Sequence, residues 1–272
     1  MFEIGINPVI FRWGFIGMEW HGVLGALGIL IAVVLAGRQM LKRGFDISTI
    51  YGLAWWCVIG GIVGARAFHV ADYFDYYMAH PLQILLITQG GLAIYGAMFG
   101  GFVGAISYVL IKRLPMGRLF DGGGPEVLLG LAIGRVGCLI NGDSWGAPTG
   151  GNWGVVYTNP GARLPANLLG VPTHPYPIYE IIVDLLIFGV FAWLRKKGVI
   201  KTDGVTTLLV LVCFSAIRFF LTYFRQEKQL LFGLQQAQLI AIACIVTMVP
   251  LIIYLVVQNR RKMSSGVVAA SE

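Results

Sequence analysis

The sequence predicts an all-α polytopic membrane bundle of seven transmembrane helices, with the N-terminus outside and the C-terminus cytoplasmic. Three observations lead there. Of 272 residues, 57% are hydrophobic and only 12% charged, with a mean hydropathy of +0.76, which is too apolar for a soluble domain. Seven apolar segments are long enough to approach or cross a hydrocarbon core about 30 Å thick. The basic residues between them cluster after alternate segments, an asymmetry that orients membrane helices.

Taken in order, the first segment, at 17–37, is followed by Arg38, Lys42 and Arg43. The second, at 51–71, runs into Asp72 to Pro81, which holds no Lys or Arg. The third, at 91–111, precedes Lys112, Arg113 and Arg118, and the fourth, at 123–141, opens into the long connection 142–175. The fifth, at 176–194, precedes Arg195, Lys196, Lys197 and Lys201. The sixth, at 204–223, leads to a connection at 224–234, and the seventh, at 235–257, ends before Arg260, Arg261 and Lys262. By the positive-inside rule the basic ends are cytoplasmic, so 142–175 is outside. That connection carries Trp145, Trp153, Tyr157 and Arg163 among Gly and Pro, and at its length it is more often functional than a spacer. A single domain is expected over 1–263, with 264–272 a disordered cytoplasmic tail.

The net charge of +7 does not point to nucleic acid, because the cations sit in short clusters between apolar segments. Cys57, Cys138, Cys213 and Cys244 occur singly, with no C-x-x-C spacing, so neither a metal site nor a disulfide framework is expected. Met1 to Ile10 has no basic leader, so the first helix is expected to remain in the mature protein.

Chemistry concentrates where the fourth segment ends, at Gly134-Arg135-Val136-Gly137-Cys138-Leu139-Ile140-Asn141-Gly142-Asp143-Ser144-Trp145-Gly146. An arginine cannot shed its proton, and at a bilayer centre it costs about 2.5–3.5 kcal/mol on insertion scales, so Arg135 must pair, meet an anion or lie near an interface. The flanking glycines admit two readings. They leave room for a phosphate-sized group beside the guanidinium, or they let helices approach closely. Arg66, Arg218 and Arg225 fall with Arg135 in the outer parts of segments two, four and six, at one depth. Arg218 and Arg225, two helical turns apart, are expected to share a face, as are Arg66 and His69. Few acids oppose them, chiefly Glu180 and Asp184, which should face inward with at least one paired to an arginine. A phospholipid phosphate is the natural complement of the excess arginine. His21, the residue type whose pKa lies nearest neutrality, reads either as an interfacial hydrogen-bonding group or as a base. Cys138 reads as a small apolar filler.

These segments resemble the prolipoprotein diacylglyceryl transferase family over nearly the whole chain. Its signature, Gly-Arg-x-Gly-Asn-(aromatic)-x-Asn-x-Glu-x-x-Gly, is matched by Gly134, Arg135, Gly137, Asn141 and Gly146, with Cys138 in place of Asn and Asp143 in place of Glu. Gly64-Ala65-Arg66 and Gly90 to Gly96 resemble further family segments, the second with Tyr95 where some members carry His. His174-Pro175 through Tyr179-Glu180, with Pro177 replacing Gln, resembles another, and so do Arg218 and Phe224-Arg225, with Thr222 in place of Glu. Trp20-His21-Gly22 matches a Trp-Tyr-Gly, so His21 stands where Tyr is usual.

The resemblance implies an enzyme of the bacterial plasma membrane that moves a diacylglyceryl group from phosphatidylglycerol to the lipobox cysteine of a prolipoprotein signal peptide, without a cofactor. It implies catalytic roles for Arg135, Arg218, Tyr95 and His21. Arg135, Arg218, Arg225, Arg66, Asn141, Asp143, Gly146 and Glu180 are the expected substrate contacts. A phospholipid-binding relative without catalysis remains the alternative, since the arginines persist while groups suited to proton transfer have changed.

Overall fold

Long apolar runs bounded by polar turns can close all their backbone hydrogen bonds as helices, which is the condition for crossing lipid. The structure, a computed structural model, describes residues 1–13, 16–85, 93–225, 229–231 and 233–269, and for 16, 85, 94, 95, 229 and 262–269 the backbone alone. In chain order its helices are α1 (Trp20–Lys42), α2 (Ile47–Asp72), α3 (Phe74–Ala79), α4 (Ile94–Ile111), α5 (Met116–Phe120), α6 (Gly124–Asn141), α7 (Tyr176–Lys196), α8 (Val205–Leu221) and α9 (Gln236–Ala269). The chain is an all-α polytopic membrane protein with short two-stranded ribbons in its connections. Among the described residues six helices are long and apolar enough to cross a membrane, one fewer than expected. The seventh expected segment, 91–111, holds α4, whose described side chains include the apolar stretch Gly96–Ile111.

Residues 37–119 form one unit and residues 1–36 with 120–272 another, where a single domain over 1–263 was expected. The backbone at 264–269, expected as part of a tail, continues α9, since each residue added to a formed helix closes one more hydrogen bond. Residues 270–272 lie outside the described residues.

In the unit 37–119, α2 and α4 pack antiparallel through glycine. Gly60 meets Gly100, Gly64 meets Gly96, and Gly104 meets Trp56, each so close that a Cβ would run into the opposite backbone. Small residues allow this approach where lipid supplies no hydrophobic drive. Asp46 precedes α2, its carboxylate accepting hydrogen bonds from the Ser48 and Thr49 hydroxyls, which hold it below the usual carboxylate range.

The other unit is built on α6, α7 and α8, which share a core of Leu128, Ile187, Phe191 and Val210. Near the start of α6, buried Glu126 accepts from Arg195 Nη2 of α7 at 2.7 Å. Asp121, 2% exposed, accepts from the backbone N–H groups of Gly204 and Thr207, both at 2.8 Å, and so caps the first turn of α8. At the opposite end of α6 the 142–175 connection is ordered around its own small core. Strand β1 (Phe2–Ile4) pairs in parallel with β4 (Val155–Tyr157). There Ile4, Val155, Tyr157, Leu164 and Leu168 are buried against Leu139 and Trp145.

Two outcomes are expected of this packing. Gly100→Leu drives a side chain into the Gly60 carbonyl, so purified protein should be largely aggregated or unfolded, and an unchanged thermal transition in detergent would refute the close approach. Asp121→Ala leaves two buried N–H groups unpaired and should lower stability by about 1–2 kcal/mol, read as a lower Tm, with Asp121→Asn recovering part of it.

Candidate active site

Glu180 lies in the first turns of α7, on the face buried against α6 and α8, and is 3% exposed. Lipid makes an unpaired carboxylate there expensive, and two arginines answer it. Arg135 Nε of α6 lies 2.7 Å from Glu180 Oε2, and the Arg218 guanidinium of α8 contacts Oε1. Each arginine side chain is about a fifth exposed, at 21% and 20%, while the carboxylate that anchors both is buried. Asp184, one turn further along α7, is also buried and lines a small cavity with Arg218 and Phe214. The expected pairing of an acid on this helix with an arginine is met by Glu180.

α6 stops at Gly142, whose left-handed backbone (φ 72°) lets its N–H return to the Cys138 carbonyl at 2.9 Å. The last turn therefore presents Cys138, Asn141 and Asp143 beside Arg135. Arg135 Nη1 donates to the Ser144 hydroxyl at 3.2 Å and lies 3.7 Å from Cys138 Sγ. His21, in the first turn of α1, places Nδ1 3.3 Å from Cys138 Sγ and 3.3 Å from Asp143 Oδ2. The ligand atoms of His21, Cys138 and Asp143 all lie within 4.8 Å of one another. Cys138 is buried, as a filler would be, but its sulfur faces these polar groups rather than hydrocarbon.

Several expectations need correction. Asn141 is fully buried, and its amide accepts from the His21 N–H and donates to Glu19 Oε2 at 3.0 Å, so it fastens α1 to α6. Glu19 also pairs with Arg163, whose N–H bonds the Asn141 carbonyl at 2.8 Å. The glycines mostly serve packing: Gly130 meets Gly28, Gly134 lies beside Gly25, and Gly137 meets His21 and Trp20. At Gly146 the space a side chain would need is filled by His174.

Arg225 does not share a helix face with Arg218. α8 ends at Leu221 and tightens into a 3-10 turn, Thr222–Phe224, which abandons the 3.6-residue period and leaves Arg225 extended, its guanidinium 5.0 Å from the Tyr176 ring centre. Thr222 is fully buried and bonds the Arg218 carbonyl at 2.7 Å.

In the unit 37–119, Arg66 is buried, donates to the Gln83 and Ile84 carbonyls and lies over the Tyr77 ring, which His69 also meets. Tyr95 lies in the first turn of α4, but its side chain lies outside the described residues, as do Gly90 and Gly91.

Glu19 and Ser144 were not singled out by sequence, and Cys138 was read only as a filler. Glu19 had a signal, since an acid at the entry to a membrane helix demands a partner. The 142–175 connection closes over this end of α6. Tyr157 donates to the Leu139 carbonyl at 3.0 Å, and burial, with the Asp143 carboxylate adding, pushes its phenol up so that it stays a neutral donor. His174 packs among Trp153, Tyr179 and Phe224, tying the connection to the end of α8.

Comparison with known proteins fits this arrangement. The family model described as prolipoprotein diacylglyceryl transferase matches residues 8–254. A Dehalococcoides mccartyi protein named phosphatidylglycerol–prolipoprotein diacylglyceryl transferase is 37% identical over 256 residues, covering 93% of this chain and 95% of its own length. Proteins of the same name from Synechococcus elongatus (32% over 244 residues, 88% of this chain and 84% of theirs) and Lysinibacillus sphaericus (32% over 253 residues, 92% of each) are similar too. With the match running through every element that builds the site, this multi-pass protein of the bacterial plasma membrane belongs to the prolipoprotein diacylglyceryl transferase family.

Proposed function

We propose that the chain transfers the diacylglyceryl group of phosphatidylglycerol to the lipobox cysteine thiol of a prolipoprotein, forming a thioether and releasing glycerol phosphate. Family membership supports diacylglyceryl transfer to lipoprotein cysteine in general, and the observation that carries the finer reading is the pair of guanidiniums converging on Glu180. As the glyceryl C–O bond breaks, negative charge grows on the phosphate oxygen. Guanidiniums already held in place stabilise that charge without reorganising, and a low-dielectric site makes each contact worth more than in water. Arg135 and Arg218 grip the donor phosphate, with Arg225 and Arg66 contributing to lipid binding. Glu180 holds the two gripping arginines at one depth, while Asn141 and Gly146 shape the wall beside them. His21 and Asp143 serve activation of the acceptor thiol, since the thiolate is the nucleophile, and the family resemblance implies a catalytic role for Tyr95. The signal peptide is itself a membrane segment, so both substrates can enter from the lipid.

The proposed topology places the N-terminus and 142–175 outside and the C-terminus in the cytoplasm, with the segment at 91–111 crossing as a seventh span. A cysteine introduced at Asn152 should react with an impermeant thiol reagent from the outer face of intact cells. Modification from the cytoplasmic face alone would reverse the orientation and the placing of the site.

The catalytic reading is tested with purified protein, labelled phosphatidylglycerol and a lipobox peptide. Lysine cannot copy the planar fork that grips two phosphate oxygens, so Arg135→Lys should keep the fold yet lose transfer about a hundredfold or more, the scale for removing one preorganised charge-stabilising group. Wild-type protein that binds the lipid through Arg135 but transfers nothing would instead describe a binding protein.

A further inference from the structure

His21, Cys138 and Asp143 bring three atoms of metal-ligand type together. One ring nitrogen, His21 Nδ1, stands 3.3 Å from both Cys138 Sγ and Asp143 Oδ2. A nitrogen carries either one proton or one lone pair, so it can share a single proton between the two or satisfy one of them. A metal ion satisfies all three at once. With zinc–nitrogen, zinc–oxygen and zinc–sulfur bonds of about 2.1, 2.1 and 2.3 Å, tetrahedral coordination puts N and S about 3.6 Å apart and N and O about 3.4 Å apart. The observed separations lie within a few tenths of an ångström of those, and all three ligand atoms fall inside a 4.8 Å span.

We propose that His21, Cys138 and Asp143 bind a zinc-class divalent cation, and that its open fourth position takes the acceptor's cysteine thiolate. The donor set is one imidazole, one thiolate and one carboxylate, the mixture a borderline-soft cation prefers over calcium or magnesium. Two anionic ligands balance its charge. The Arg135 guanidinium lies 3.7 Å from the sulfur. Three protein ligands leave the fourth position open, as in catalytic zinc sites. His21 and Asp143 are 45% and 30% exposed in their side chains, so the position is accessible while Cys138 stays buried.

The fourth-ligand half of the proposal rests on the proposed function. A thiol that enters that position loses its proton to solvent and remains nucleophilic beside the metal. Its sulfur forms the C–S bond to the glyceryl carbon while the C–O bond breaks, and the electron pair leaves on the phosphate oxygen of glycerol phosphate. The arginines and the metal then act on different partners, the leaving group and the nucleophile.

Cobalt(II) added to the purified full chain tests the site directly, because a thiolate ligand gives cobalt a strong near-ultraviolet charge-transfer absorption. One equivalent should develop it. Cys138→Ser should abolish it, and Asp143→Asn should weaken cobalt binding at least about tenfold, since even outer-shell changes cost ten- to a hundredfold. The Cys57→Ser/Cys213→Ser/Cys244→Ser variant should keep the band, with gel-filtration profiles establishing that each variant is folded. No band in wild-type protein, or a band surviving Cys138→Ser, overturns the site. A lipobox peptide should intensify the band where its serine analogue does not, and an unchanged spectrum at saturating peptide removes the fourth-ligand half. Equal transfer by zinc-loaded and chelator-stripped protein likewise refutes that half and leaves the proposed function standing. Absence of transfer from both would sink the proposed function, and the cobalt spectra would still decide the site.

Discussion

A single carboxylate, Glu180, sets the geometry around it, because an ion in lipid must find its partners within the protein. Its two oxygens meet Arg135 of α6 and Arg218 of α8, so three helices are fixed in register at one depth. Losing any member of such a buried group strands the other charges, typically at a cost of about 3–5 kcal/mol. The apolar core of Leu128, Ile187, Phe191 and Val210 packs the same helices but is less specific, since apolar contact tolerates sliding and an ion pair does not. The ion triad serves specificity more than stability. In the proposed reaction it also holds two guanidiniums ready for the donor phosphate.

The second constraint is where α6 ends. Arg135 is useful only if the chain turns polar just beyond it. Gly142 enforces the stop, Asn141 fastens α1 alongside through Glu19 and the His21 N–H, and Gly137 lets α1 come close enough for that bond. The 142–175 connection then has its own apolar floor, completed by the N-terminal strand β1, so a segment with little regular structure still presents Asp143 and Ser144 in fixed positions.

Hydropathy makes the spans legible because lipid rewards apolar length directly, and Arg135, Arg218 and Glu180 stand out because ions are conspicuous against that background. Within 91–111, glycines admit the close approach of α2. Those glycines show the limit of reading from sequence. Gly137 or Gly146 could cradle a ligand or admit a neighbour, and only the neighbour's position decides; for both, the neighbour is there. Arg225 was misplaced for a different reason, because helical periodicity was extended across a 3-10 turn that no local residue announces. His21 and Cys138 are 117 residues apart. Spacing rules for metal ligands read short loops, so a site assembled by the crossing of α1 and α6 is invisible to them.

That crossing also makes sense of the chain's departures from its family. Considered singly, His for Tyr at position 21, Cys for Asn at 138 and Asp for Glu at 143 look like erosion of a catalytic site, and they suggested a binding protein without catalysis. In space they are neighbours, and each brings an atom that can ligate a cation. Meanwhile the arginines and Glu180, which face the leaving group in the proposed reaction, match the pattern. Thioether formation needs two kinds of assistance, charge stabilisation at the phosphate and a thiolate at the acceptor. In the proposed reaction the arginines held by Glu180 serve the first, and the cluster of His21, Cys138 and Asp143 serves the second.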